Sequence, residues 1–257
     1  LGAVNLLAVD IGNSDTVFGI WTLNATLPYV FRIDTASILQ NHLLLPQELE
    51  LKLTHIPVST IEKVILSSVV PQVTDLVRSQ ILEYTQLPVQ LLDHTQFHKL
   101  PIQVLKPDEI GTDLVANALA AYTLVQQDCI IVDFGTALSF TTIDRQGKII
   151  GVSIAPGLLT ALKALTAHTA QLQTVPLSMP SSSLGKNTEE AIQTGILYGY
   201  DGLVRGIIEA QEKELGLDLY VIVTGGLSHI IPTLKNRVNL YSPYLTLEGL
   251  KIAARYL

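Results

Sequence analysis

Leu6-Leu-Ala-Val-Asp10-Ile-Gly12-Asn-Ser-Asp-Thr-Val-Phe-Gly19 is echoed about half a chain later by Ile130-Ile-Val-Asp133-Phe-Gly135-Thr-Ala-Leu-Ser-Phe-Thr141. Each copy reads as a buried apolar strand, an Asp at its end, one residue, a Gly, small hydroxyl or amide residues, and a second strand. A repeat on this scale predicts two similar α/β halves. The division falls near residues 111–126, in the helix that connects them. Residues 1–115 form the N-terminal half with the first loop, and residues 116–257 the C-terminal half with the second. The hairpin has a chemistry of its own. An Asp fixed at a rigid strand end reaches a cation or its bound waters. The Gly lets the chain turn tightly and bring N–H groups to phosphate oxygens. Asn13, Ser14, Thr16 and Thr136 add neutral donors. One such hairpin alone is an ordinary Asp-Gly turn. Its recurrence at equivalent places in two halves points to a phosphate site.

Outward from the hairpins, short Val/Ile/Leu-rich runs alternate with helical patterns, as in an α/β protein. Strands are predicted at residues 6–9, 17–21, 29–33, 63–67, 89–92, 129–132, 138–143, 149–153 and 220–223. Helices are predicted from Pro71, from about Thr112, over about residues 188–211, and from a Thr246 cap to the C-terminus. A third glycine signal, Val221-Ile-Val-Thr224-Gly225-Gly226-Leu227, ends a strand in a turn that suits the close approach of a flat base or a ribose. No P-loop and no GxGxxG fingerprint occurs.

Composition narrows the partners. Hydrophobic residues make up 48% of the 257 and charged residues 15%, enough for a large core and too apolar for a disordered chain. Residues 1–125 carry 6 basic and 12 acidic side chains, and residues 126–257 carry 10 and 11. Neither half is basic, so no nucleic-acid partner is expected, and an anionic ligand must be held by loop amides, helix ends or a metal ion. The longest charge-free stretch, residues 164–185, is rich in Thr, Gln, Ser and Pro and is no membrane span. The apolar run 6–9 is too short for a signal-peptide core. The single cysteine, Cys129, excludes an internal disulfide, suits a reducing cytoplasm, and reads as a small buried hydrophobe. The six histidines show no metal-ligand spacing.

Taken together, the two hairpins and the third turn resemble the actin-like, sugar-kinase-like ATPase superfamily, in which two ribonuclease-H-like halves have a nucleotide cleft between them. The finer resemblance is to type III pantothenate kinases. It is carried by Asp10-Ile-Gly-Asn-Ser-Asp-Thr-Val17, Gly111-Thr-Asp113, Asp133-Phe-Gly-Thr136-Ala, Ala155-Pro-Gly157, Gly185-Lys-Asn-Thr188-Glu and Thr224-Gly-Gly226, in the family's order across the whole chain. The resemblance implies ATP-dependent phosphorylation of pantothenate to 4'-phosphopantothenate, the first committed step toward coenzyme A. It makes Asp10, Ile11, Gly12, Asn13, Ser14, Asp15, Thr16 and Val17 the first nucleotide-phosphate loop, with Thr136 a further ATP contact. Asp133 becomes the carboxylate that holds a monovalent cation, potassium or ammonium, and magnesium accompanies the ATP. Asp113 becomes the general base, with Gly111, Thr112, Leu114 and Thr188 at the substrate. A cytoplasmic homodimer is implied, with the 164–185 region near its contact.

Asp113 suits its role by position, since the first turn of a helix favours an ionised carboxylate. Two residues depart from the family pattern. Leu114 stands where the family usually has Arg, and Val104 where it has a substrate-facing Tyr. Leucine supplies neither charge nor hydrogen bond, so Leu114→Arg is expected to add a charge-assisted contact. The same departures feed an alternative reading, a kinase-like nucleotide-binding paralogue with a regulatory or accessory role.

Overall fold

The structure is a computed structural model and describes residues 5–22, 27–167 and 175–257. In chain order its first elements are β1 Leu6–Ile11, β2 Asp15–Trp21, β3 Tyr29–Asp34, α1 Thr35–Gln40 and α2 Leu44–Lys52. Next come β4 Lys63–Ser68, α3 Pro71–Thr85, β5 Val89–Leu91 and α4 Thr112–Val125. Then follow β6 Cys129–Phe134, β7 Ala137–Ile143, β8 Ile149–Pro156 and α5 Leu158–Ala167. The last are α6 Thr188–Leu215, β9 Tyr220–Thr224, β10 Leu240–Tyr241 and α7 Leu245–Ala253. His168 and residues 168–174 of the charge-free segment lie outside the described residues.

The chain forms two compact units. One runs to Leu124 and includes Leu245–Leu257; the other is Val125–Tyr244. The first unit's sheet has the order β3-β2-β1-β4-β5 and the second's β10-β9-β6-β7-β8. Read from the other end, the second is the first repeated. A central strand (β1 or β6) pairs antiparallel with its hairpin partner and parallel with the strand on its other side. The internal repeat in the sequence is therefore a repeated ribonuclease-H-like sheet.

Both central strands read as unbroken apolar runs because both faces are covered. In the first unit Leu7, Val9, Phe18, Ile20, Val64 and Leu66 form a core with Ile38 of α1, Leu45 and Leu49 of α2, and Val73, Val77 and Ile81 of α3. Pro71 starts α3 at the position where its missing N–H costs nothing. Each fully buried Val, Leu or Ile in such a core contributes about 1.5–3 kcal/mol. In the second unit Ile130, Val132, Phe140, Val221 and Val223 pack against Leu197, Val204 and Ile208 of α6.

The units divide between Leu124 and Val125, inside the expected 111–126 interval but beyond 115/116, and the C-terminal residues return to the first unit. Helix α4 runs unbroken through 115/116, and α7 packs on β1 and β4. Thr246, expected as a helix cap, lies inside α7 and donates from Oγ1 to Asn117 Oδ1 at 2.9 Å. The helix ends at Ala253, short of the C-terminus. Cys129 is buried in β6, and burial pushes its thiol up to about 12, which leaves it an inert hydrophobe. Among the described residues no helix is long and apolar enough to cross a membrane.

Candidate active site

In the first unit Asp10 stands half-buried at the end of β1, level with Ser67 on the parallel strand β4. Ser67 Oγ donates to Asp10 Oδ1 at 2.6 Å. The turn beyond is closed by Gly12 N–H donating to the Asp15 carbonyl at 3.0 Å. Asn13 and Ser14 project from it, exposed, with Asp15 and Val17 half-buried behind them. Ile11 and Thr16 are wholly buried. Thr16 was expected among the phosphate donors; instead its hydroxyl faces inward, 3.0 Å from Thr35 Oγ1. Thr35 donates its one hydroxyl proton to the Gly12 carbonyl at 2.8 Å, so it must accept from Thr16. Its backbone N–H also donates to the Ser14 carbonyl at 2.9 Å. Thr35, which sequence reasoning missed, thus ties the loop down at both of its ends.

Gly111, Thr112 and Asp113 are half-buried where α4 begins, and Leu114 is buried with 8% exposure. Thr112 Oγ1 donates to the Ser68 carbonyl at 3.3 Å. Asp113 Oδ1 accepts from the Leu114 N–H at 2.9 Å. Burial pushes the Asp113 carboxyl above the ordinary carboxylate range, and this backbone hydrogen bond opposes the shift without cancelling it. The helix position alone pointed the other way; removal from water outweighs it. Val104, at the place of the family's Tyr, is half-buried.

The second unit repeats the device. Asp133 ends β6, level with the buried Thr224 of β9. Gly135 N–H donates to the Ala137 carbonyl at 3.1 Å, and Thr136 stands exposed at the tip. The Thr136 carbonyl accepts from Gly157 N–H at 3.1 Å and from Thr160 Oγ1 at 2.7 Å. Tyr200 Oη, on α6, donates to the Pro156 carbonyl at 2.6 Å. The Ala155-Pro-Gly157 motif is therefore a brace under the second loop. Gly225 has φ +93°, and a Cβ there would lie 2.6 Å from the Phe134 carbonyl oxygen and 2.7 Å from Asp133 Oδ1. The Thr-Gly-Gly turn thus lies directly against the strand-end carboxylate. Thr188 opens α6, exposed, behind Asn187, whose side chain accepts from Glu190 N–H at 2.9 Å.

Among the described residues no three His, Cys, Asp or Glu side chains converge as a metal cage. Isolated carboxylates at strand ends fit a magnesium ion that arrives on phosphates and keeps its waters. Asp133, a half-buried carboxylate near the end of β6, supplies oxygen donors of the kind an alkali cation takes.

A ribonuclease-H-like sheet in each unit, each with a strand-end carboxylate and a glycine-turned loop, is the architecture of the actin-like, sugar-kinase-like ATPase fold. Within that fold, the family model of type III pantothenate kinase matches residues 6–210, and the chain belongs to this family. The type III pantothenate kinase of Syntrophotalea carbinolica is 38% identical over 249 residues, covering 96% of this chain and 97% of that one. That of Treponema pallidum (strain Nichols) is 37% identical over 257 residues, covering 97% and 93%. Among solved structures, the activator of 2-hydroxyisocaproyl-CoA dehydratase from Clostridium difficile with bound ADPNP superimposes with TM-score 0.52 at 13% identity, covering 98% of this chain and 94% of that one. Component A of the (R)-2-hydroxyglutaryl-CoA dehydratase from Acidaminococcus fermentans gives 0.52 at 12% identity, covering 99% and 97%. At such identities these structures speak for the fold alone.

Proposed function

We infer that the protein transfers the γ-phosphoryl group of ATP to the 4'-hydroxyl of pantothenate, yielding ADP and 4'-phosphopantothenate for coenzyme A synthesis. Family membership names the reaction. The observation that carries the site is the strand-end carboxylate with its glycine-turned loop, built twice on equivalent sheets. Asn13 and Ser14, exposed at the tip of the loop that residues 10–17 build, hold phosphate oxygens, and Thr136 does so from the second loop. Asp10 serves the magnesium ion that accompanies ATP. Bound there, that ion neutralises charge on the phosphates. Asp133 holds the monovalent cation, which offsets the repulsion between an anionic strand end and ATP. Thr224-Gly-Gly226 takes the nucleoside.

Gly111, Thr112, Leu114 and Thr188 line the acceptor site. Asp113 accepts the hydrogen bond of the pantothenate hydroxyl and orients it. As the new P–O bond forms, the bond from the γ-phosphorus to its bridging oxygen breaks, ADP departs, and the hydroxyl proton passes to Asp113. A raised carboxyl pKa brings this base toward neutral pH, where proton transfer is most effective. Such a transfer relies chiefly on positioning and charge neutralisation.

The protein works in the cytoplasm as a homodimer. Exposed apolar residues on the second unit support the association: Val152 and Ile154 of the edge strand β8, and Leu159 and Leu165 of α5. The test is incubation with Mg-ATP and a panel of small alcohols, read by mass. Pantothenate alone should gain one phosphoryl group. ATP consumption without any phosphorylated acceptor would speak for the non-catalytic nucleotide-binding alternative.

A further inference from the structure

Strand β4 reads Lys63-Val-Ile-Leu-Ser67-Ser68, and its interior residues Val64, Ile65 and Leu66 are wholly buried hydrophobes. Ser67 is equally buried, at 0% exposure, and a polar group in such a strand costs free energy unless it is bonded. Its partner is Asp10: the two residues are level across the β1–β4 pair, and Ser67 Oγ donates to Asp10 Oδ1 at 2.6 Å. The second unit makes the same choice. Strand β9 is apolar through Val221, Ile222 and Val223, then places the buried hydroxyl of Thr224 level with Asp133. In both sheets the hydroxyl stands at the register position of the strand-end carboxylate, where packing alone would be met by Ala or Val.

We propose that Ser67 is a positioning residue for phosphoryl transfer, acting through Asp10. The plane of a carboxylate is set by the donors that hold its oxygens. A buried donor fixed to the neighbouring strand holds one oxygen, and so sets the plane of the whole group toward the phosphates and their magnesium ion. The neighbouring Ser68 has a different task. Its Oγ accepts from Val70 N–H at 3.1 Å and from Thr74 Oγ1 at 2.7 Å, which secures the start of α3. The proposal rests on the reading of Asp10 given above and deepens it.

The experiment uses the full chain with Ser67→Ala, Ser67→Thr, Ser67→Cys, Ser68→Ala, Asp10→Asn and the Ser67→Ala/Asp10→Asn double variant. It measures kcat against magnesium concentration, affinity for Mg-ADP, and melting temperature. Ser67→Ala should lower kcat at least ~10-fold, the scale for losing a group that orients a metal-directed carboxylate, and should raise the magnesium needed for half-maximal rate. Ser67→Thr, which keeps the hydroxyl, should stay within about threefold of wild type, and Ser67→Cys, a weak donor of similar size, should fall between. Ser68→Ala should lower the melting temperature and leave kcat and the magnesium requirement unchanged. In the Asp10→Asn background Ser67→Ala should weaken Mg-ADP binding no further. A Ser67→Ala or Ser67→Cys enzyme with wild-type kcat and magnesium requirement, beside a crippled Asp10→Asn, would overturn the proposal alone. So would equal losses in Ser67→Ala and Ser67→Thr, or effects of Ser67→Ala and Asp10→Asn that multiply. Near-normal turnover by Asp10→Asn would overturn the role of Asp10 and the proposal with it.

Discussion

Replacing Gly225 with Ala perturbs the second half-site through a single methyl group. Two costs can be worked from the geometry. A non-glycine residue at φ +93° is strained, at roughly 1–2 kcal/mol. The new Cβ would also lie 2.6 Å from the Phe134 carbonyl oxygen and 2.7 Å from Asp133 Oδ1, closer than any relaxed contact. Since one of those atoms is backbone in a central strand, relief requires movement of β6 or of the turn, at about 1–3 kcal/mol for an overpacked site. Together these give a loss of about 2–5 kcal/mol, a melting decrease on the order of 10 °C for a unit of this size. Because the carboxylate must shift, nucleotide affinity should fall along with stability. Thermal unfolding by circular dichroism and Mg-ADP titration calorimetry read the two effects separately. An Ala variant that melts within 2 °C of wild type and binds Mg-ADP equally would refute the close packing of this turn on Asp133.

Asp113→Asn keeps the oxygen that accepts the Leu114 N–H but removes a charge that burial disfavours, so turnover should drop about 10²-fold or more. Since the folded carboxyl is raised, the charged form destabilises the native state as pH climbs through and above the carboxylate range. The Asn variant should therefore melt higher than wild type at pH 7–8, a gap that closes toward pH 3; a lower melting point at neutral pH would contradict this. Thr35→Val removes the donor to Gly12 and the acceptor for Thr16 at nearly constant volume, at about 1–3 kcal/mol. It should raise the KM for ATP, whereas Thr35→Ser should restore it; equal KM values in all three proteins would clear Thr35 of any role in the loop. Leu114→Arg should lower the melting temperature and not improve pantothenate use, because Leu114 is buried; a reduced KM with unchanged melting would show that the acceptor site has room for a guanidinium at this position. Turnover should be faster in potassium or ammonium than in sodium, and equal rates in all three would count against a cation at Asp133.

The fold was legible where its signals are local. An apolar run ending in Asp-x-Gly shows itself in a dozen residues, and two copies of it determine two equivalent sheets. The return of the C-terminal helix to the first unit was not, because α7 is claimed by contacts made across more than half the chain, such as Thr246 with Asn117. Thr35 was invisible for a similar reason, since nothing near Asp34-Thr35 marks it except the start of a helix. Thr16 could have been read correctly. Strand periodicity puts it on one face with the buried Phe18 and Ile20, while Asp15 and Val17 face the other way. The Asp113 expectation failed because helix position is written in the local sequence, whereas burial depends on everything folded around the residue.

The most direct measurement is ADP formation by the full chain with Mg-ATP and potassium, with and without pantothenate, on wild type and Asp113→Asn. Pantothenate should stimulate ADP release by wild type, with one 4'-phosphopantothenate formed per ADP, and Asp113→Asn should lose that stimulation while still binding Mg-ADP. ADP release by wild type that is absent, or indifferent to pantothenate, would contradict the assignment of this site as a pantothenate kinase centre.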